Sequence, residues 1–317
     1  MTGHQSGHTI HRTQHHLGWN NAFPPRLVVA PGETVEFKTV DASGGQISSK
    51  STVADVAALD FGKVNPVSGP VYIDGAEPGD AVKVTILDFT PSGWGWTANI
   101  PGFGLLADEY PEPWLRISRV EPETGRVRFS DQVTLPYRPF PGTLGVAPDE
   151  PGEHSIVPPS RFGGNMDTKH LNPGVKLYLP IGVEGALFSL GDTHAAQGDG
   201  EVCGTAIETQ MDVTLRLSVR RDFSVQTPQY DLPAGAVAAH EQSPYHVCTG
   251  VAPDLMAATK QAVRETIAFL GHRYGLDRNE AYAVASVAVD LRIHEVVDAP
   301  NWVVGAFIPE SIFEGGI

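Results

Sequence analysis

Within eleven residues, Gly191-Asp-Thr-His-Ala-Ala-Gln-Gly-Asp-Gly-Glu201 places Asp192, His194, Asp199 and Glu201 together with no lysine or arginine to neutralise them. If Asp192 to His194 is extended, the two side chains leave the same face, because strand side chains alternate with period two. A carboxylate beside an imidazole suits zinc or a similar divalent ion. Glu201, one glycine-rich turn later, can supply a further ligand or a general base. The competing structural reading is a polar turn whose aspartates bond their own backbone.

The elements that must position these residues read as strands. Arg26–Ala30 ends in Pro31-Gly32, Thr34–Thr39 alternates apolar and polar residues, and Val71–Ile73 leads through a Pro-Gly-Asp turn into Ala81–Leu87. Val175–Ile181, Ala186–Leu190, Val202–Glu208 and Met211–Val219 continue the pattern. These β-branched runs punctuated by Pro and Gly predict a mostly β chain of antiparallel sandwich or barrel type. Near residue 253 the texture changes. Pro253–Leu270 spaces Leu255, Met256, Val263, Ile267 and Leu270 along one helical face, with Gly271 and Gly275 as stops. Asp277 opens a second helix with Glu280 as its capping-box partner, and the strand-like runs Ala288–Val297 and Trp302–Ile308 follow. The chain divides into a β-rich region over 1–160 and a second over 161–317 that carries the site and a small C-terminal α/β element, or forms one intertwined unit.

Composition bounds the function. The 317 residues bury a substantial core, and an excess of 37 acidic over 22 basic residues gives a net charge of −15. A phosphate-binding surface needs clustered lysine and arginine, so nucleic acid and anionic membranes are disfavoured as partners. A small neutral ligand suits the chain better. The polar, histidine-rich Met1–His16 lacks the apolar stretch of a secretory signal, and no apolar run spans a bilayer, which predicts a cytoplasmic protein. Cys203 and Cys248 are too few for a disulfide scaffold.

Several segments in order resemble the acetamidase/formamidase family of amide hydrolases: His15-His16-Leu-Gly-Trp19-Asn20-Asn21, Pro31-Gly-Glu-Thr-Val35, Gly69-Pro-Val-Tyr-Ile73 with Gly75-Ala-Glu-Pro-Gly-Asp80, Gly93-Trp-Gly-Trp96, Pro101-Gly-Phe-Gly-Leu105, Gly163-Gly-Asn-Met-Asp167 and the Gly191–Glu201 stretch. The tryptophan and phenylalanine segments look more like the acetamidase branch. The resemblance implies a mostly β fold, a homodimer or higher oligomer, and hydrolysis of a short aliphatic amide such as formamide or acetamide to carboxylate and ammonia. It puts a divalent metal, zinc or alternatively calcium, on Asp167, Asp192 and His194, with His15 (or His16) as a further ligand.

An amide needs a strengthened nucleophile, a stabilised oxyanion and a protonated leaving nitrogen, and a metal with a nearby carboxylate serves all three. Glu201 is the candidate base and Asp199 its competitor. Gly163, Gly164 and Asn165 offer an oxyanion hole or a plain tight turn. Trp94, Trp96, Phe103 and Tyr110 form the wall of a small pocket, a loop core or an oligomer contact. Two rival readings remain open. One is a cysteine amidase in which Glu201, Lys169 and Cys203 act together. The other is a non-catalytic β-sandwich that binds a small ligand and holds a structural calcium.

Overall fold

The structure, a computed structural model, describes residues 7–222, 224–233, 244–296 and 299–314. In chain order its principal strands begin with β1 (Thr34–Lys38), β2 (Val67–Ile73), β3 (Ala81–Pro91), β4 (Trp94–Asn99) and β5 (Trp114–Glu121). They continue with β6 (Phe140–Gly145), β7 (Gly163–Asn165), β8 (Lys176–Pro180), β9 (Phe188–His194) and β10 (Met211–Arg220). The C-terminal element comprises β11 (Tyr245–Ala252), helices α1 (Leu255–Tyr274) and α2 (Arg278–Ala288), β12 (Asp290–Glu295) and β13 (Trp302–Pro309).

One six-stranded sheet is built around β1, β10, β3 and β8, and a second around β7, β6, β9 and β2. Strands from before and after residue 160 alternate in both. The sheets face one another: Phe37 of β1 meets Phe188 of β9 edge-on at 5.8 Å between ring centroids. Alternation drives this packing, since Val82, Val84 and Ile86 on β3 and Val213, Leu215 and Leu217 on β10 are all buried while Lys83, Thr85, Thr214 and Arg216 between them are less so. The fold is mostly β and largely antiparallel, and no sheet among the described residues closes into a barrel.

β9 breaks the alternation, for every residue from Phe188 to His194 is buried. It is covered on both faces, which is how its polar end comes to lie inside the protein. The predicted strand Ala186–Leu190 thus starts later and runs through the histidine. The predicted strand Val202–Glu208 is absent. Residues 202–204 form turns, and Glu208 makes isolated bridges to Trp96 and His194. Three glycines nearby, at 198, 200 and 204, favour a folded-back path over an extended one.

The C-terminal strands β11, β13 and β12 form a three-stranded sheet backed by α1. α1 begins one residue after its cap Asp254, whose carboxylate accepts from Ala257 N at 2.8 Å, so Pro253 lies outside the first turn. It passes through Gly271 and ends at Gly275, which takes the left-handed φ of 69° common at helix ends. Val263, Ile267 and Leu270 are buried as their spacing predicts, but Leu255 and Met256 stay exposed at the first turn. α2 is capped by Asp277, which accepts from the amides of Asn279 and Glu280. The Glu280 carboxylate does not close a capping box; it pairs with Arg116 at 3.1 Å.

Candidate active site

The buried end of β9 is the floor of an acid-rich cluster. In the β6–β9 register Thr143 faces Gly191 and Pro141 faces Thr193, which sets Gly142 opposite Asp192. A Cβ at Gly142 would lie 2.6 Å from Asp167 Oδ1, 2.7 Å from His194 Cε1 and 2.9 Å from Asp192 Oδ2. Only glycine leaves room for three functional side chains at this point. Asp167 follows β7 and is held by its amide, which donates to Gly142 O at 3.1 Å. Glu201 arrives from the turn after β9, and Glu208 from the bridge beside Trp96.

Four residues here, Asn65, Asp167, Asp192 and Glu201, have left-handed φ values between 42° and 51°. Such a backbone costs a non-glycine residue of order 1 kcal/mol or more and persists where the surroundings enforce it. Asp192 therefore reaches His194 across a twist rather than by simple strand alternation. His194 Nε2 lies 3.1 Å from Asp192 Oδ1 and 3.0 Å from Glu208 Oε2.

Gln197 sets the histidine tautomer. Its Nε2 donates to Asp167 O at 2.8 Å, which turns its Oε1 toward His194 Nδ1 at 2.9 Å. Nδ1 must then carry hydrogen, and Nε2 faces two carboxylates. A single N–H at Nε2 serves Asp192 and leaves Glu208 Oε2 without a hydrogen bond, despite its 3.0 Å approach. Glu208 Oε1, by contrast, accepts from Ala206 N at 2.8 Å. Asp167 Oδ1 is likewise buried with no partner.

Burial and crowding distort the acidities. Burial, with Asp192 next, lifts Asp167 to about 8. Burial also lifts Glu208 to about 7 against the pull of His194, and holds Glu201 well above its ordinary range with Asp167 adding to the effect. Burial alone would lower His194, but Glu208 and Asp192 outweigh it and hold the imidazole well above its usual value. Asp192 stays below the ordinary carboxylate range because His194 outweighs the cost of burial. Four carboxyl groups around one imidazole thus require added positive charge, as protons or as a metal. Two triads meet the requirement for a cation, Asp167–His194–Glu201 and Asp192–His194–Glu208, each offering ligand atoms within 4.8 Å of one another. Mixed oxygen and nitrogen donors with orphaned buried oxygens fit a divalent ion.

Beside the cluster opens a cavity of about 230 Å³ that reaches Asp192, Glu201 and Glu208 at one end. Asn65 and Asn165 flank that end. Asn165 Oδ1 accepts from Thr143 Oγ1 at 2.6 Å and Asn65 Nδ2 at 3.3 Å, so its own NH₂ group is left for the cavity.

The profile of the Acetamidase/Formamidase family matches residues 4–155 and 151–315. The chain belongs to the acetamidase/formamidase family. It is 27% identical over 370 residues to the formamidase of Methylophilus methylotrophus, covering 95% of this chain and 90% of that one. It is 29% identical over 255 residues to the acetamidase of Mycolicibacterium smegmatis, covering 61% and 63%. Among solved structures, a gamma lactamase from Delftia acidovorans superposes with a TM-score of 0.90 at 25% identity, covering 98% of this chain and 94% of that one. An acetamidase from Bacillus halodurans superposes with a TM-score of 0.67 at 30% identity, covering 95% and 96%. This family member is therefore an amidohydrolase.

The residues singled out from the sequence separate into two groups. Asp167, Asp192, His194 and Glu201 converge. His15 does not: it is exposed, and its Nδ1 lies 2.6 Å from Arg12 O. His16 turns inward elsewhere, its Nε2 2.9 Å from Ser189 Oγ. Asp199 points away from the cluster and pairs with Lys169 at 3.3 Å. Gly164 sits within β7 behind the cavity, leaving Asn165 as the polar group that lines it. Trp96 lines the cavity with its ring, but its Nε1 is spent on Asp41 Oδ2 at 2.8 Å, so it is a wall rather than an oxyanion donor. Phe103 joins that wall, whereas Tyr110 stacks on Tyr282 at 4.3 Å.

The Glu201–Lys169–Cys203 set is not assembled. Cys203 is fully buried in a turn with its Sγ 3.4 Å from Thr205 Oγ1, and burial pushes its thiol up. Lys169 is held by Asp290 and Asp199. Glu208, Gly142, Asn65 and Gln197 adjoin the cluster, and no motif in the sequence singles them out. The one signal for Glu208 was an acid embedded in an otherwise uncharged stretch, 202–211.

Proposed function

We propose that this chain hydrolyses a short amide of the formamide or acetamide kind to carboxylate and ammonia at a divalent-metal site, zinc being the ion its donors suit. The observation that carries the reading is that His194 Nε2 faces Asp192 Oδ1 and Glu208 Oε2 at 3.1 and 3.0 Å, with Glu208 Oε2 and Asp167 Oδ1 otherwise unpartnered. Asp167, Asp192, His194 and Glu208 would hold the ion, with Glu201 at its edge. A bound divalent ion lowers the pKa of water and polarises a carbonyl.

The protein's own groups do the rest. Glu201, which lines the cavity, takes the proton from the attacking water. As water oxygen bonds to the carbonyl carbon, the Asn165 NH₂ group donates to the oxygen on which negative charge develops. Glu201 then returns the proton to nitrogen, the C–N bond breaks and ammonia leaves; the remaining proton of the new carboxylic acid passes to the departing ammonia, giving carboxylate and ammonium. Gln197 holds the imidazole ring in one orientation throughout, as a partner of a ligating histidine does.

No helix among the described residues is long and apolar enough to cross a membrane. A homodimer in the cytoplasm completes the reading, and sedimentation of the purified protein tests the first part of it. The deciding experiment measures ammonia release from formamide and acetamide before and after chelation, with metal content determined on the same sample. Activity lost with the metal and restored by zinc supports the reading. Activity indifferent to stoichiometric metal removal overturns the metal.

A further inference from the structure

Resting on the amide-hydrolysis reading, we infer that the preferred substrate is a primary amide with a compact, branched or alicyclic acyl group, larger than formamide or acetamide. The cavity has two chemically distinct kinds of lining. Asp192, Glu201, Glu208 and Asn165 mark the end where the amide group must lie. The rest of the lining is mainly apolar and includes Ala42, Leu59, Phe61, Val64, Ile100 and Phe103. Phe61 and Phe103 meet edge-on at 6.2 Å and are 51% and 38% exposed, which places them at the mouth.

Polar residues that share this wall are spent on the protein itself. Ser43 Oγ donates to Asp41 Oδ2 at 2.6 Å and accepts from Ile47 N at 2.9 Å. Thr205 Oγ1 donates to Ala98 O at 2.9 Å and accepts from Ala98 N at 3.0 Å. The Trp96 N–H goes to Asp41. A substrate entering this half therefore meets hydrocarbon and aromatic surface and no free donor from these three residues.

Size decides what fills it. An apolar cavity of about 150 Å³ accommodates benzene, and this one is about 230 Å³. The single methyl of acetamide and the bare hydrogen of formamide leave the apolar half empty. A branched or five-membered alicyclic acyl group fills it with the carboxamide still at the acids. Each methylene buried there is worth about fourfold in affinity for the transition state.

The test compares acetamide, isobutyramide and cyclopentanecarboxamide, three primary amides with similar carbonyl electronics, by ammonia release from the protein as purified. The expected result is a rise in kcat/KM of at least about tenfold from acetamide to cyclopentanecarboxamide, carried mainly by KM. Ala42→Leu and Val64→Phe, which shrink the cavity through its apolar lining, should lower kcat/KM for cyclopentanecarboxamide more than for acetamide and so remove that preference. Thermal melting identifies whichever variant folds. Equal or faster turnover of acetamide by the unaltered protein overturns the inference while leaving amide hydrolysis intact, as does a variant that slows all three amides alike. Absence of ammonia from all three overturns the amide reading, and this inference with it.

Discussion

Two clusters of charge, one built on the buried Lys169–Asp290 pair and one wholly internal, stand on opposite principles. In the first, Lys169 is 6% exposed and contacts both Asp290 and Asp199, while Arg292 approaches Asp290 at 3.6 Å. Cations and carboxylates balance. In the second, Asp167, Asp192, Glu201 and Glu208 surround His194 with no lysine or arginine among the described residues paired to any of them, and two buried oxygens have no partner there. Burying a charge is costly unless it is paired, so the balanced cluster explains itself as structure. The unbalanced one is stable only with something added. That contrast separates the residues that hold the fold from those that hold the chemistry, although Asp199 and Glu201 are two residues apart.

The sharpest way to break the contrast is His194→Ala. It should lower kcat/KM by at least about a thousandfold and reduce bound metal, measured by elemental analysis. Full retention of both would remove His194 from the site. Gly142→Ala is expected to cost about a hundredfold, because its new methyl must displace Asp167, His194 or Asp192. A crystal structure of the variant would show which one yields.

In the balanced cluster the effect should move from activity to stability. Lys169→Met leaves Asp290 and Asp199 short of a cation and should cost about 3–5 kcal/mol of unfolding free energy by denaturant titration. The activity of the folded fraction should be preserved. Loss of turnover at unchanged stability would instead place Lys169 in the reaction. Cys203→Ser should leave kcat/KM unchanged, because Sγ is enclosed away from the cavity lining.

The smallest effect contrasts His16 with His194. His16 has hydroxyl and carbonyl partners instead of acids, and burial lowers its pKa to about 4. The unfolded chain protonates it near its ordinary value of about 6.5, so the unfolded state binds more protons below that pH. The stability from a neutral His16 is complete above about 6.5 and is lost as pH falls toward 4. Melting temperatures of the parent and His16→Asn proteins between pH 7.5 and 5 should converge on acidification. Parallel curves would show that His16 does not contribute.

How much of the site was legible depended on distance along the chain. Asp192, His194 and Glu201 stand together in an acidic, cation-free stretch, and their residue types alone marked them for metal or proton chemistry. The distinction between Glu201 and Asp199 was not legible. Gly198 and Gly200 flank Asp199, and the left-handed φ of 42° at Glu201 helps turn the two carboxylates to opposite partners. Glu208 was hidden for a different reason. Its role comes from bridges to Trp96 and His194 that no local spacing encodes.

By itself the sequence determined the mostly β class, through period-two runs broken at Pro and Gly, and the two C-terminal helices, through the 3.6-residue spacing and the Asp caps. Residue type also marked Asp192, His194 and Glu201 as candidates for metal or proton chemistry. Only the tertiary structure decided which acids share the imidazole, why residue 142 must be glycine, and how large the neighbouring cavity is. Each depends on strands distant in sequence meeting at one register. Side-chain chemistry is local, whereas the volume enclosed between packed sheets belongs to the whole chain.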